Sequence, residues 1–267
     1  MLGMILFYKL SFITTTLSSA SLSIIGKHFI WRNKFIELFA LCQFAIIGNL
    51  VGHLIVPMIH LPIIPLLSSI TFFILGKFLF DLFKVNHKER STRMICIYLI
   101  LSSLQYLMIS FFPNLEPHLN SGLFGSTVTT TRIENLILIA VFIVINFALF
   151  YLNRMLTRNS LEINFFQRRK RNVKDEYLLL IPIVVSVFGL GLVYTLSFLS
   201  LGAVILGSSF KNQKKNHTVL ILINIAASLG GLLLSLFFEK LSTTPTQVVL
   251  LATLCILVKF FNEKLLK

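Results

Sequence analysis

A chain of 267 residues with 56% hydrophobic and only 13% charged side chains, at a mean hydropathy of +0.87, lacks the polar surface that a soluble globule of its size needs. Its formal charge of +14 therefore speaks to membrane topology, since short loops rich in Lys and Arg stay on the cytoplasmic side, and not to nucleic acid. The composition predicts an all-α, polytopic transmembrane helical bundle of about 8–9 spans in a single domain, 1–267.

In chain order, apolar runs near bilayer length place spans at about 4–26, 35–56, 62–83, 94–112, 133–152, 177–193, 194–210, 217–237 and 246–262. The first run has no basic n-region and no small-residue cleavage site, so it reads as a span and not a removable signal. A polar elbow, Trp31-Arg32-Asn33-Lys34, joins the first two spans into a helical hairpin whose two cations place the turn inside the cell. Prolines at 57, 62 and 113 mark external turns. The Ser/Thr-rich stretch 123–131 reads as a short helix or turn at the outer interface. The longest soluble piece is 153–176, with a basic cluster Arg168-Arg169-Lys170-Arg171 suited to anionic headgroups. The seventh span is short and carries Thr195, Ser197 and Ser200, as a broken or re-entrant helix does when protein surrounds it.

With the N-terminus outside, only Lys9, Arg132 and Lys240 of the 24 basic residues face outward. This sorting sets the orientation. Cys42, Cys96 and Cys255 are scattered within apolar runs and read as small apolar residues. Small residues at 189, 191, 202, 203, 207, 226, 227, 230 and 231 predict close helix packing in the C-terminal half.

Among polar residues inside apolar runs, Gln43 and His53 stand on the second span with Cys42 and His60 nearby, a conceivable ligand path for a metal ion. The alternative places His53 and His60 at the outer interface, facing water. Lys34 and Glu37 are spaced for an i,i+3 pair, and Lys77 and Asp81 for an i,i+4 pair. The glycosylation pattern Asn216-His217-Thr218 falls on the cytoplasmic side and is set aside. No P-loop, HExxH or GxSxG pattern occurs, so no catalytic role and no ATP hydrolysis by this chain is expected.

The order and spacing of Gly26, Phe29, Trp31, Arg32 and Gly48 resemble the hairpin of the ABC-3 family of permeases, the membrane subunits of zinc, manganese and iron importers. Leu123-Phe124-Gly125-Ser126 followed by Glu134 resembles a second family segment. Gly191 with Leu199-Ser200-Leu201-Gly202-Ala203, and Gly231 to Ser235 with Glu239 and Val248-Val249-Leu250, resemble the later spans. The resemblance implies a BtuC-like permease fold and a homodimer in the bacterial cytoplasmic (inner) membrane, embedded in lipid. It further implies an ABC ATPase subunit that uses the ATP, an extracytoplasmic metal-binding protein, a transported divalent metal, and no cofactor bound by the chain itself. By position, Gly26, Trp31, Arg32 and Gly48 belong to a gate hairpin, and Gly202, Ala203, Ser208, Ser209 and Lys211 to the ATPase-coupling segment. An ordinary positive-inside loop accounts for 211–215 equally well. The sequence departs from the family where its hairpin Asp and His fall on Phe39 and Gln43, the Gly before that Asp on Leu38, and a late Pro on Gly202. An amide binds zinc poorly where imidazole binds well, so a divergent permease-like membrane scaffold without metal transport is the rival reading.

Overall fold

A computed structural model describes residues 8–32, 34–59, 61, 63–82, 87–125, 132–166, 173–206, 213–238 and 241–265. The described residues form helices α1 (Lys9–Trp31), α2 (Phe35–Ile59), α3 (Ile64–Leu82), α4 (His87–Phe111), α5 (Glu116–Phe124), α6 (Arg132–Phe166), α7 (Val173–Leu190), α8 (Leu192–Leu206), α9 (Gln213–Phe237) and α10 (Thr243–Leu265). A single 3₁₀ turn, Pro113–Leu115, leads into α5. No strand occurs among the described residues.

Among the described residues, six helices are long and apolar enough to cross a membrane: α2, α3, α4, α6, α9 and α10. The sequence predicts about 8–9 spans; of the four helices outside this set, α5 has 9 residues and the other three are set apart for different reasons. α1 is rich in Ser and Thr. α7 opens on Lys174, Asp175 and Glu176. α8 has 15 residues, about 22 Å of helix against a hydrocarbon core of roughly 30 Å. All three are mostly buried among the other helices, so they need not meet the apolarity that lipid imposes.

The polar side chains of α1 are satisfied locally. Thr14, Thr15 and Thr16 donate to the carbonyls of Leu10, Ser11 and Phe12 at 2.9, 2.9 and 2.7 Å, and Ser23 donates to Ser19 at 2.7 Å. Such back-bonding lets a hydroxyl-rich helix sit inside a bundle without orphaned donors. Across the interface, Thr14 Oγ1 donates to Asn135 Oδ1 on α6 at 3.1 Å, and Tyr194 OH on α8 lies 3.2 Å from Ser18 Oγ on α1 and Ser228 Oγ on α9. By contrast α4 and α6 lie at the periphery. Phe147, Phe150 and Tyr151 stand 74, 83 and 80% exposed, the lipid-facing pattern of a membrane helix.

Contacts at both ends fix the helix directions. α1 and α6 run side by side in the same direction, joined by Thr14–Asn135 near their starts and by His28–Ser160 near their ends. α3 returns antiparallel along α2, with Ser69 Oγ donating to the Ala45 carbonyl at 2.9 Å. Close approach also occurs in the N-terminal half, beyond the glycines expected to pack. A Cβ on Gly26 would lie 1.9 Å from the Leu199 carbonyl oxygen, and one on Gly48 would lie 2.5 Å from the Ser68 carbonyl.

Three local expectations change. α2 runs through Pro57 to Ile59 instead of stopping before it. The turn expected over 113–122 contains α5. And α6 extends to Phe166, so most of the supposed soluble piece after 153 is helix. The Arg168 to Arg171 cluster lies outside the described residues.

Candidate functional site: the elbow gate and the polar line above it

The elbow is built from the end of α1. Arg32 closes the helix, its N–H donating to the His28 carbonyl at 3.0 Å, and the Lys34 N–H donates to the Phe29 carbonyl at 3.2 Å. Lys27 Nζ sits 4.3 Å from the centre of the Trp31 ring, a cation–π contact that holds the last turn. Arg32 is 8% exposed. Its Nε donates to Ser160 Oγ on α6 at 3.0 Å, and His28 Nδ1 lies 3.0 Å from the same hydroxyl. Burial draws the Arg32 pKa down while the charges of Glu176 and Asp175 work against it. Asn159 on α6 in turn donates to Asp175.

Beside the elbow lies a buried charge network. Lys77 on α3 is 1% exposed and reaches Glu37 on α2 at 2.6 Å, Glu176 on α7 at 2.8 Å and Asp81 on its own helix at 3.2 Å. Lys34 donates to Glu176 as well. Burial lowers the Lys34 pKa, and the Glu176 charge opposes that shift. Three cations, Arg32, Lys34 and Lys77, thus face four of the chain's ten carboxylates, Glu37, Asp81, Asp175 and Glu176. The i,i+4 pair Lys77–Asp81 is present as the spacing predicts. The close partner of Glu37, however, is Lys77, and Lys34 reaches across to α7. A buried network of this kind holds elements in one register, because removing one member leaves charge uncompensated in low dielectric.

Above the network, the two positions that depart from the resembled family are filled. Phe39 packs in T-shaped geometry on Phe35 and Tyr98, with ring centroids 5.3 and 6.5 Å apart. Gln43, 1% exposed, accepts from Gln105 Nε2 on α4 at 2.6 Å through Oε1. His53 stands ten residues on, about 15 Å along the helix, and stacks on His118 of α5 with centroids 3.6 Å apart. The structure therefore gives Gln43 and His53 different neighbours. Of the sequence-predicted hairpin residues, Gly26, Arg32 and Gly48 meet other elements at close contacts, whereas Trp31 packs on Lys27 and His28 of its own helix. Gly202 lies against Asn224, a Cβ there approaching its Oδ1 at 3.2 Å, and Ala203 is 7% exposed. Ser208, Ser209 and Lys211, like His60, Asn33, Ser126 and Glu239, lie outside the described residues.

Sequence reasoning missed Glu176, Ser160, Gln105 and His118. For Glu176 a signal existed: in a chain with ten acidic residues, two adjacent carboxylates at the mouth of an apolar run are conspicuous. For Ser160, Gln105 and His118 none did, since each partner lies more than sixty residues away.

A family model for the ABC 3 transport family matches residues 4–262. A solved structure of PsaBC from Streptococcus pneumoniae in complex with Fab is similar in fold, with a TM-score of 0.76 at 16% identity over 94% of this chain and 90% of that one. No curated protein matches in sequence.

Proposed function

Because the chain belongs to the ABC 3 transport family, we propose that it is the permease subunit of an ATP-binding-cassette importer of divalent metal ions, zinc or manganese. It works as a homodimer in the bacterial cytoplasmic membrane, with an ATPase subunit inside and an extracytoplasmic metal-binding protein outside. The observation that carries this reading is the charge network at the elbow. A permease must close one end while the other opens, and Lys77, Glu37, Glu176 and Lys34 join the hairpin, α3 and α7 at the end expected to face the cytoplasm. Tight in one state and hydrated in the other, such a network is the bistable element that alternating access requires.

The coupling surface falls at that same end. α8 ends at Leu206 and α9 begins at Gln213, and His217 near the start of α9 acts electrostatically on Lys27 and His28 near the end of α1. A push on the 207–212 connection by a closing ATPase is thereby delivered next to the elbow, where it separates α1 from α7 and breaks the Lys34–Glu176 contact. The metal passes as substrate, and the chain's residues hold no resident cofactor in this scheme.

One observation favours the scaffold reading. Gln43 and Phe39 are engaged with Gln105 and Tyr98, so the hairpin offers no carboxylate to a cation there. Metal accumulation separates the two. Cells deleted for the chain should lose zinc or manganese uptake and regain it with the wild-type gene. Unchanged zinc, manganese and iron on deletion leaves the scaffold.

A further inference from the structure

We propose that an anionic phospholipid of the inner leaflet binds along α1 between α6 and α9, with its phosphate at Lys27, Arg32 and His217. The proposal stands whether or not the chain carries metal.

The groove starts as a pattern in the sequence. Ile13, Leu17, Ala20, Ile24, Lys27 and Trp31 recur every three or four residues and form a stripe of α1 in which no residue is buried, whereas Ser18, Ser19, Ser21 and Ser23 between them are. At about 100° of turn per residue, Thr14, His28 and Arg32 fall on one flank of this stripe and Ser23 on the other. The first flank meets α6 through Asn135 and Ser160. The second meets α9, where Asn224 donates to Ser23. The stripe therefore looks out between α6 and α9. From Leu17 to Lys27 it runs about 15 Å, half of a hydrocarbon core of roughly 30 Å, which is the reach of one leaflet's acyl chains.

The inner end of the stripe carries the charge. With Nε given to Ser160 Oγ at 3.0 Å, Arg32 keeps Nη2 buried and without a hydrogen-bond partner in a side chain that is 8% exposed. His217 Nδ1, near the start of α9, is likewise buried without a partner. A buried polar atom left unmatched costs free energy that an incoming partner recovers. The charges that act on His28 are those of Arg32, Lys27 and His217, so these groups share one neighbourhood. Asp175 and Glu176 also act on Arg32, but they are engaged by Asn159 and by Lys34 and Lys77. Lys27 lies over the Trp31 ring and pairs with no carboxylate among the described residues.

A phosphate brings both the acceptor oxygens that a guanidinium prefers and the negative charge that Lys27 lacks beside it. The apolar stripe leading up to these cations selects a lipid over a soluble anion, and basic pockets between membrane helices on the cytoplasmic side suit anionic headgroups. The free Lys27 ammonium, with no carboxylate to receive a choline or ethanolamine head, selects an anionic lipid over a zwitterionic one. Trp31 at the same level is the residue type that anchors helices at the headgroup boundary.

Trp31 is the chain's single tryptophan, so its fluorescence reads this site directly. The purified full-length chain is reconstituted in phosphatidylcholine vesicles containing either brominated phosphatidylglycerol or brominated phosphatidylcholine as quencher. Quenching should favour phosphatidylglycerol by about tenfold or more, the effect of two basic side chains at about 1 kcal/mol each. Lys27→Gln should cut that preference by about fivefold, Lys27→Arg should keep it, and Lys9→Gln, at the far end of α1, should quench as wild type. Equal quenching of the wild type by the two lipids overturns the site, as does a preference unchanged in Lys27→Gln. Millimolar inorganic phosphate should leave the preference intact; its loss would make free phosphate the ligand and overturn the lipid. Finally, Ala20→Cys in membranes should give no disulfide-linked dimer beyond the wild-type background under oxidant, because lipid covers the stripe. A linked dimer would put a second copy of the chain there and overturn the proposal.

Discussion

Lys77 on α3 and Glu37 on α2 are 2.6 Å apart, with their side chains 1 and 4% exposed, forty residues apart in sequence. The Lys77 ammonium also serves Glu176 and Asp81, so one cation ties three helices. Replacing it by an apolar residue removes the close partner of Glu37 and leaves Glu176 to Lys34.

Lys77→Met should therefore destabilise the chain by about 3–5 kcal/mol, the range for breaking a buried pair by removing one partner. The midpoint of thermal unfolding in detergent measures it. A Lys77→Met protein that unfolds with the wild type contradicts the network.

For Lys34 and Glu176, a double-mutant cycle with Lys34→Met and Glu176→Gln should return a coupling of about 0.5–3 kcal/mol. Glu176→Gln alone should cost less than Lys77→Met, because Lys77 keeps Glu37 and Asp81. Additive effects would mean that the elbow is not linked to α7 through this pair.

Gly125 and Gly191 touch each other with positive φ angles of 66° and 84°. A Cβ on Gly125 would lie 1.8 Å from the Leu190 carbonyl oxygen, whereas on Gly122 it would find nothing nearer than 3.6 Å. Gly125→Ala should lose at least about 1–2 kcal/mol from left-handed backbone strain alone, and Gly122→Ala should be neutral or better, helix propensity favouring Ala by about 1 kcal/mol. Equal stability of the two variants in the same unfolding assay would refute the close contact of α5 with the α7–α8 bend.

The amide pair of Gln43 and Gln105 offers a separation of stability from transport. Gln43→Leu removes the 2.6 Å partner of the buried Gln105 amide and leaves it only the 3.3 Å contact to the residue 43 carbonyl, which should cost about 1–3 kcal/mol, while the double variant Gln43→Leu/Gln105→Leu should recover most of that loss. If the pair lines the ion path, metal uptake by the double variant falls although the protein is stable. Full uptake removes Gln43 from the path.

His118 sets a pH dependence. Burial lowers its folded-state pKa below the ordinary histidine value of 6.5, and Glu134 only partly offsets this. The folded state then binds fewer protons than the unfolded one, so stability is fully present above the unfolded pKa and declines as pH drops below about 6.5. Unfolding midpoints measured from pH 7.5 to 5.5 should fall, and His118→Gln should flatten the trend.

Much of the architecture was legible in the chain. The elbow at Trp31 to Lys34 and the i,i+4 pair Lys77–Asp81 follow from local spacing, whereas the break expected at 193–194 falls at Gly191. Other features were opaque for a common reason. α1 and α7 carry hydroxyl and charged side chains because helices screened from lipid by neighbours escape the constraint that hydropathy reads, while α8 is apolar but has only 15 residues. Lys77 as a partner of Glu37 was missed because a local reading sees Lys34, three positions away and still acting on Glu37 electrostatically, before a residue forty positions away.

By itself the sequence determined that the chain is a many-helix membrane protein, which way its charge is biased, and which family its spaced glycines and elbow resemble. Those properties are sums over neighbouring residues, set by solvent and helix period. Only the tertiary structure decided that Glu176 closes the elbow, that Gln43 meets Gln105 and that His53 meets His118. Each of these contacts depends on which helix faces come together, and backbone periodicity carries no record of that choice.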